Sequence, residues 1–124
     1  MTSEKIETRV SVFAIGANPI TEEGEQFQVE TNRWFPLWLY VTVTCEDLLV
    51  DLENFGFYPK HLKTVISENH AIEMAQRLLE SVKNGKAKKY GDTSFLHDSS
   101  FIFSVADVEE FANFCGLSGG FSVS

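Results

Sequence analysis

The sequence predicts a single α+β domain, with about three helices packed on a small, mainly antiparallel sheet. Three observations carry that expectation. Apolar residues alternate near the start of the chain, as in strands. They recur every three to four residues between Ser67 and Asn84, as on one face of a helix, and a second capped helical segment runs into a short alternating ending. With 124 residues, 44% of them apolar and 11 of them Phe, the chain is long enough to bury a core without disulfides or metals. No repeat, low-complexity tract or Pro/Gly/Ser-rich linker divides it, so residues 1–124 read as one unit.

Ile6, Thr8, Val10, Val12 and Ala14 fall on one side of an alternating run that ends at Gly16-Ala17-Asn18-Pro19, which predicts a first strand. Ile20 to Glu25 reads as an acidic turn, and Phe27 and Val29 then alternate in a second strand. Trp34 to Leu52 carries two signals. Its β-branched run Val41-Thr42-Val43-Thr44 favours a strand, whereas Trp38, Val41, Cys45, Leu48 and Leu52 mark one helical face. Nineteen residues without a turn signal are long for a strand, and Pro36 suits a first helical turn. A helix over about 34–53 is therefore expected, stopped by Asn54-Phe55-Gly56.

The segment from Ser67 to Asn84 is the clearest element. Ala71, Ala75, Leu78 and Val82, widened by Ile72, Met74 and Leu79, form an apolar stripe opposite Asn69, Glu73, Gln76, Glu80 and Lys83. Ser67 fits the N-cap and Gly85 the residue beyond the C-cap, giving a helix over about 68–84. Phe101-Ile102-Phe103 reads as a strand. Ser104 then caps a last helix over about 105–115, buried through Val105, Val108, Phe111, Ala112 and Cys115. Asp107 is placed to fold back on that cap and Gly116 to end the helix in the left-handed region, after which Phe121 and Val123 alternate as a closing strand.

No stretch reaches the roughly 20 apolar residues of a membrane helix, and MTSEKIETRV carries no hydrophobic signal segment, so a cytoplasmic protein that meets no membrane is expected. Cys45 and Cys115 are too few and too far apart for a disulfide framework or a zinc site, which leaves two reduced, buried thiols. A net charge of −8 argues against general nucleic-acid binding. The charge is uneven: Lys83, Lys86, Lys88 and Lys89 hold four of the ten positive charges, and taking them from the net −8 leaves −12 on the remainder. That remainder would attract a basic partner. A solvated acidic surface with one basic loop accounts for the same charges.

Gly116-Leu117-Ser118-Gly119-Gly120 matches the G-x-S-x-G pattern of a nucleophile elbow, but its context is reversed. An elbow joins a strand to a following helix, whereas here a helix precedes Ser118 and a strand follows, and no acid or histidine comes after it. Ser118 is expected to be structural. His70 with Glu73 one turn on, and His97 with Asp98 in a polar connection, are the residues a small enzyme or metal protein would use. A single pair falls short of a ligand motif, and Arg77 at i+4 from Glu73 offers it an ordinary ion pair. No cofactor and no catalytic residue is expected.

The remaining signal is aromatic. Trp34, Phe35, Trp38 and Tyr40 point to different faces of a helix, so some are expected at the surface, and Trp and Tyr are typical of binding hot spots. Glu46, Asp47, Asp51 and Glu53 follow on the same element. Trp34, Trp38, Tyr40, Glu46, Asp47 and Asp51 are therefore the expected contact residues for a basic protein partner. The competing reading has a second layer, or the partner chain of a homodimer, covering the rings.

The segment Trp34-x-Pro36-Leu37-Trp38, the long helix after Ser67, and the ending Val108-Glu109-Glu110-Phe111-Ala112-x-Phe114-Cys115 with Gly119-Gly120-Phe121 together resemble a set of small uncharacterised bacterial proteins. The resemblance spans about the C-terminal three quarters of the chain and implies no activity. Small acidic cytosolic proteins of this kind include inhibitors and immunity partners of toxins, which makes a non-enzymatic protein-binding or inhibitor module the expected class.

Overall fold

The computed structural model describes residues 11–49, 66–93 and 101–123. Three strands, β1 (Ser11–Gly16), β2 (Gln26–Glu30) and β3 (Phe121–Val123), form an antiparallel sheet in the order β2-β1-β3. Around it, among the described residues, lie five helices: α1 (Thr31–Thr44), α2 (Glu46–Leu49), α3 (Glu68–Lys83), α4 (Lys86–Thr93) and α5 (Val105–Leu117). The α+β architecture with a small antiparallel sheet is thus the one the sequence pattern predicts.

The sheet follows from the alternation of its residues. Val12 pairs with Val29 and Ala14 with Phe27, and all four are buried, so a slip of one residue would turn the apolar set to solvent. Glu22–Gly24 forms a single 3-10 turn between β1 and β2. On the opposite side β3 pairs with β1, and Ile66 and Phe121 exchange backbone hydrogen bonds of 2.8 and 3.0 Å.

The middle helix departs from the expected 34–53. It begins at Thr31 and ends at Thr44, where the β-branched run Val41-Thr42-Val43-Thr44 lowers helix propensity. Cys45 leaves the helical region, its N–H still bonded to the Val41 carbonyl, and α2 is a separate short turn. Asp51, Leu52, Glu53 and the stop at Asn54-Phe55-Gly56 lie outside the described residues. Pro36 is the sixth residue of α1 rather than part of its opening turn. Its ring nitrogen cannot bond the Asn32 carbonyl one turn back, and the N–H of Ile102 takes that acceptor at 3.1 Å instead.

That bond explains a second correction: Phe101-Ile102-Phe103 is not a strand. The segment lies along α1, with the Phe101 ring 5.1 Å from Phe35 and the Phe103 ring 5.5 Å from Tyr40. The sequence pattern also contains no α4, because only Ala87 is buried in that lysine-rich helix. Gly85, at φ +86°, reverses the chain between α3 and α4.

The other caps are mostly as expected. The hydroxyl of Ser67 accepts from the N–H of His70, and that of Ser104 from the N–H of Asp107. The Asp107 carboxylate does not fold back on its cap. It is buried and takes a two-pronged pair from Arg33 at 3.1 and 2.5 Å. Gly116 does not end α5, which continues to Leu117 and is capped by Ser118. The left-handed residues are Gly119 and Gly120, at φ +69° and +96°, where the chain turns tightly into β3.

The core is aromatic. Trp34 and Trp38 stack at 5.2 Å between ring centres, and Phe111 meets both edge-on. Phe27 and Phe121 approach Phe111 at 5.2 and 5.6 Å from the sheet side. Against this cluster α3 lays Ala71, Met74, Ala75 and Leu78, and its packing with α5 is the most extensive between helices.

Candidate functional site

The structure separates the residues expected to form one partner-binding face. Trp34, Trp38 and Tyr40 are 1%, 0% and 4% exposed, so the aromatic half of that face is core rather than surface. The expectation that α1 would need to show some of its rings fails for these three. The helix is covered on several sides at once, by the sheet, by α5 and by the 101–104 segment. Glu46 and Asp47 are exposed, and Asp51 lies outside the described residues.

Asp47 belongs to a network centred on Arg77 of α3. The guanidinium donates to both Asp47 oxygens, at 2.6 and 2.9 Å, to Glu73 Oε2 at 3.1 Å and to the Thr44 carbonyl at 3.4 Å. One side chain thereby ties the end of α1 and the start of α2 to α3. Its hydrogen bonds to Asp47 and then Glu73 raise the Arg77 pKa, and the same fork lowers that of Asp47. The Glu73–Arg77 pair expected from the i,i+4 spacing is present, so Glu73 is engaged rather than open to a ligand shared with His70. Among the described residues no three His, Cys, Asp or Glu side chains gather as a metal site. His97 and Asp98 lie outside those residues.

Beside Arg77 opens a cleft of about 640 Å³. Tyr40, Val43 and Thr44 of α1 form one wall, Arg77, Glu80 and Ser81 of α3 with Asn84 the floor, and Lys86, Lys89, Tyr90 and Thr93 of α4 the other wall. The Tyr40 and Tyr90 rings meet at 4.7 Å, backed by Phe103 at 5.5 and 5.2 Å. Of the described residues expected to contact a partner, Tyr40 alone lines the cleft. In the sequence Lys86 and Lys89 read as a basic loop, and the apolar spacing of Ala87 and Tyr90 is the one sign that they share a helix.

Two further groups with chemical potential are used structurally. Cys45 and Cys115 are free, buried thiols, and burial pushes Cys45 up to about 12 and Cys115 in the same direction. The Ser118 hydroxyl is buried, donates to the Cys115 carbonyl at 3.0 Å and accepts from the Gly120 N–H at 3.2 Å. It shapes the turn into β3.

The outer edge of β2 is the third surface feature. The bond from the Gly16 N–H to the Glu25 carbonyl, at 2.9 Å, makes that a hydrogen-bonded pair, and the alternation of an antiparallel ladder does the same for Ala14 with Phe27 and Val12 with Val29. The backbone groups of Gln26 and Gln28 therefore face away from β1. Among the described residues no strand pairs with that edge. Exposed carboxylates flank it: Glu22, Glu23 and Glu25 before it and Glu30 at its end. Glu30 and Glu110 both act on Arg33, which places α5 carboxyl groups in the same neighbourhood.

Compared with models of protein families, with curated proteins and with solved structures, the chain matches none of them.

Proposed function

We propose that this protein is a non-enzymatic protein-binding module, of the inhibitor or immunity class, which takes an extended basic segment of its partner along the outer edge of β2. The carrying observation is the open edge itself, with the amides and carbonyls of Gln26 and Gln28 facing outward between exposed glutamates. An extended segment that pairs there gains backbone hydrogen bonds, and lysines or arginines on it meet Glu22, Glu23, Glu25 and Glu30. The same carboxylates repel a second copy of this chain, because edge-to-edge pairing brings two acidic sets together. Exposed ion pairs contribute only about 0.2–1 kcal/mol each, so the charges select and steer while the strand pairing holds.

Among the described residues, the Glu73 carboxylate and the Ser118 hydroxyl, which would argue for chemistry, are otherwise engaged, which favours binding over catalysis. Glu73 and Asp47 are held by Arg77, and Ser118 is held in its turn. The enzyme or metal reading through His70 and Glu73 thus loses its carboxylate.

Photo-crosslinking in the protein's own cells tests the reading. A photoreactive residue at position 28 is expected to capture a partner protein, and the capture to vanish with Glu25→Lys and Glu30→Lys together. Equal capture of the same protein from a reporter at Lys88, or capture indifferent to the charge reversal, would overturn it.

A further inference from the structure

We infer that the cleft between α1, α3 and α4 binds a small organic anion with an aromatic body, the charge held by Lys86 and Lys89 and the ring by the tyrosine wall. Its volume of about 640 Å³ falls within the range of small-molecule sites. The wall is aromatic where the Tyr40 and Tyr90 rings meet, inclined at 53° to each other, and Val43, 63% exposed, extends it to the rim.

The rim carries the charge. Lys88 is paired with Asp92 across one turn of α4, and Arg77 is neutralised by Asp47 and Glu73. No ion pair among the described residues reaches Lys86 or Lys89, which both line the cleft, and Glu80 is the one carboxylate lining it with them. The groups that line the cleft are Arg77, Lys86 and Lys89 against Glu80, and with Arg77 taken up by Asp47 and Glu73 the two lysines are the cations left without an ion partner there among the described residues.

Their position sharpens the point. Lys86, Lys88 and Lys89 open α4, and its first turn contains no acidic residue. The N-terminal end of a helix disfavours cations, so three lysines there oppose the local dipole, and an anion in the cleft relieves both that field and the mutual repulsion of the ammonium groups. The inference is independent of the β2 edge, which involves none of these residues.

Titration of the full chain, followed by amide NMR, tests it with phenyl phosphate as the probe and with phenol and inorganic phosphate as separate controls. Phenyl phosphate is expected to saturate one site, with the largest shifts at Lys86, Lys89 and Tyr90. Phenol and inorganic phosphate should each bind at least tenfold more weakly. Lys86→Ala with Lys89→Ala should weaken phenyl phosphate at least tenfold while resonances away from α4 stay in place, since both side chains are exposed. Non-saturable shifts, shifts centred elsewhere, equal binding of either control, or unchanged affinity in the double variant would each overturn the site.

Discussion

Trp38 shows how a single side chain can be read two ways. A Trp close to three other rings and a run of acids has the composition of a binding hot spot, yet its ring is 0% exposed and stacked on Trp34. Among the described residues no protein group accepts from either indole N–H, so within the protein these rings contribute through their apolar surface. Trp38→Ala is therefore expected to destabilise the fold by about 3–5 kcal/mol, whereas Trp38→Phe, which gives up no hydrogen bond to a described protein group, should lose far less. Denaturant melts of the two variants check this, and equal losses would contradict it.

Cys45 gives a second expectation at the same scale. Burial raises its thiol from an ordinary 9.0 to about 12. Between those values the unfolded chain has released the proton that the folded chain keeps, so the stabilisation is fully present below pH 9 and is lost as pH rises through about 12. The denaturation midpoint should fall across that interval, less steeply in Cys45→Ala, and both thiols should resist iodoacetamide until the chain unfolds.

The elements that were legible in the sequence are those whose pattern and neighbours agree. α3 has a capping serine, a wide stripe and a glycine beyond its end, and β1 and β2 alternate cleanly. The departures arise where a distant partner decides. Nothing local to Phe101-Ile102-Phe103 shows that Pro36 leaves an acceptor waiting 70 residues away in sequence, at Asn32. Nothing local to Lys86–Thr93 shows that Tyr90 will pack on Tyr40. The turn from α5 to β3 is a case where the pattern G-x-S-x-G was visible and its physical use was not. Gly120 sits at φ +96°, and a Cβ there would stand 2.5 Å from the Ile66 carbonyl oxygen. Gly120→Ala should cost more than the ~1 kcal/mol typical of a lost glycine conformation, detached β3 appearing as faster amide exchange at Ile15 and Ile66. An unchanged melting temperature would contradict this account of the turn.

For the molecule as a whole, the candidate surfaces divided where the sequence had joined them. The acidic and aromatic features expected together on α1 separate into a buried aromatic core, an Arg77 network that locks Asp47, and a basic cleft. Four exposed carboxylates, Glu22, Glu23, Glu25 and Glu30, flank the β2 edge. Strand order made that edge, and strand order is a long-range property that alternation alone does not specify. Among the described residues no helix is long and apolar enough to cross a membrane.

The most direct measurement is native mass spectrometry of the protein purified gently from its own cells, wild type beside Gln28→Pro. The Gln28 N–H faces away from β1, so proline there removes an outward donor while leaving the β1 ladder intact. A stoichiometric protein partner is expected on the wild type and none on a Gln28→Pro variant of unchanged melting temperature. A wild-type protein that flies as a bare monomer or homodimer, or a partner that stays on Gln28→Pro, would contradict it.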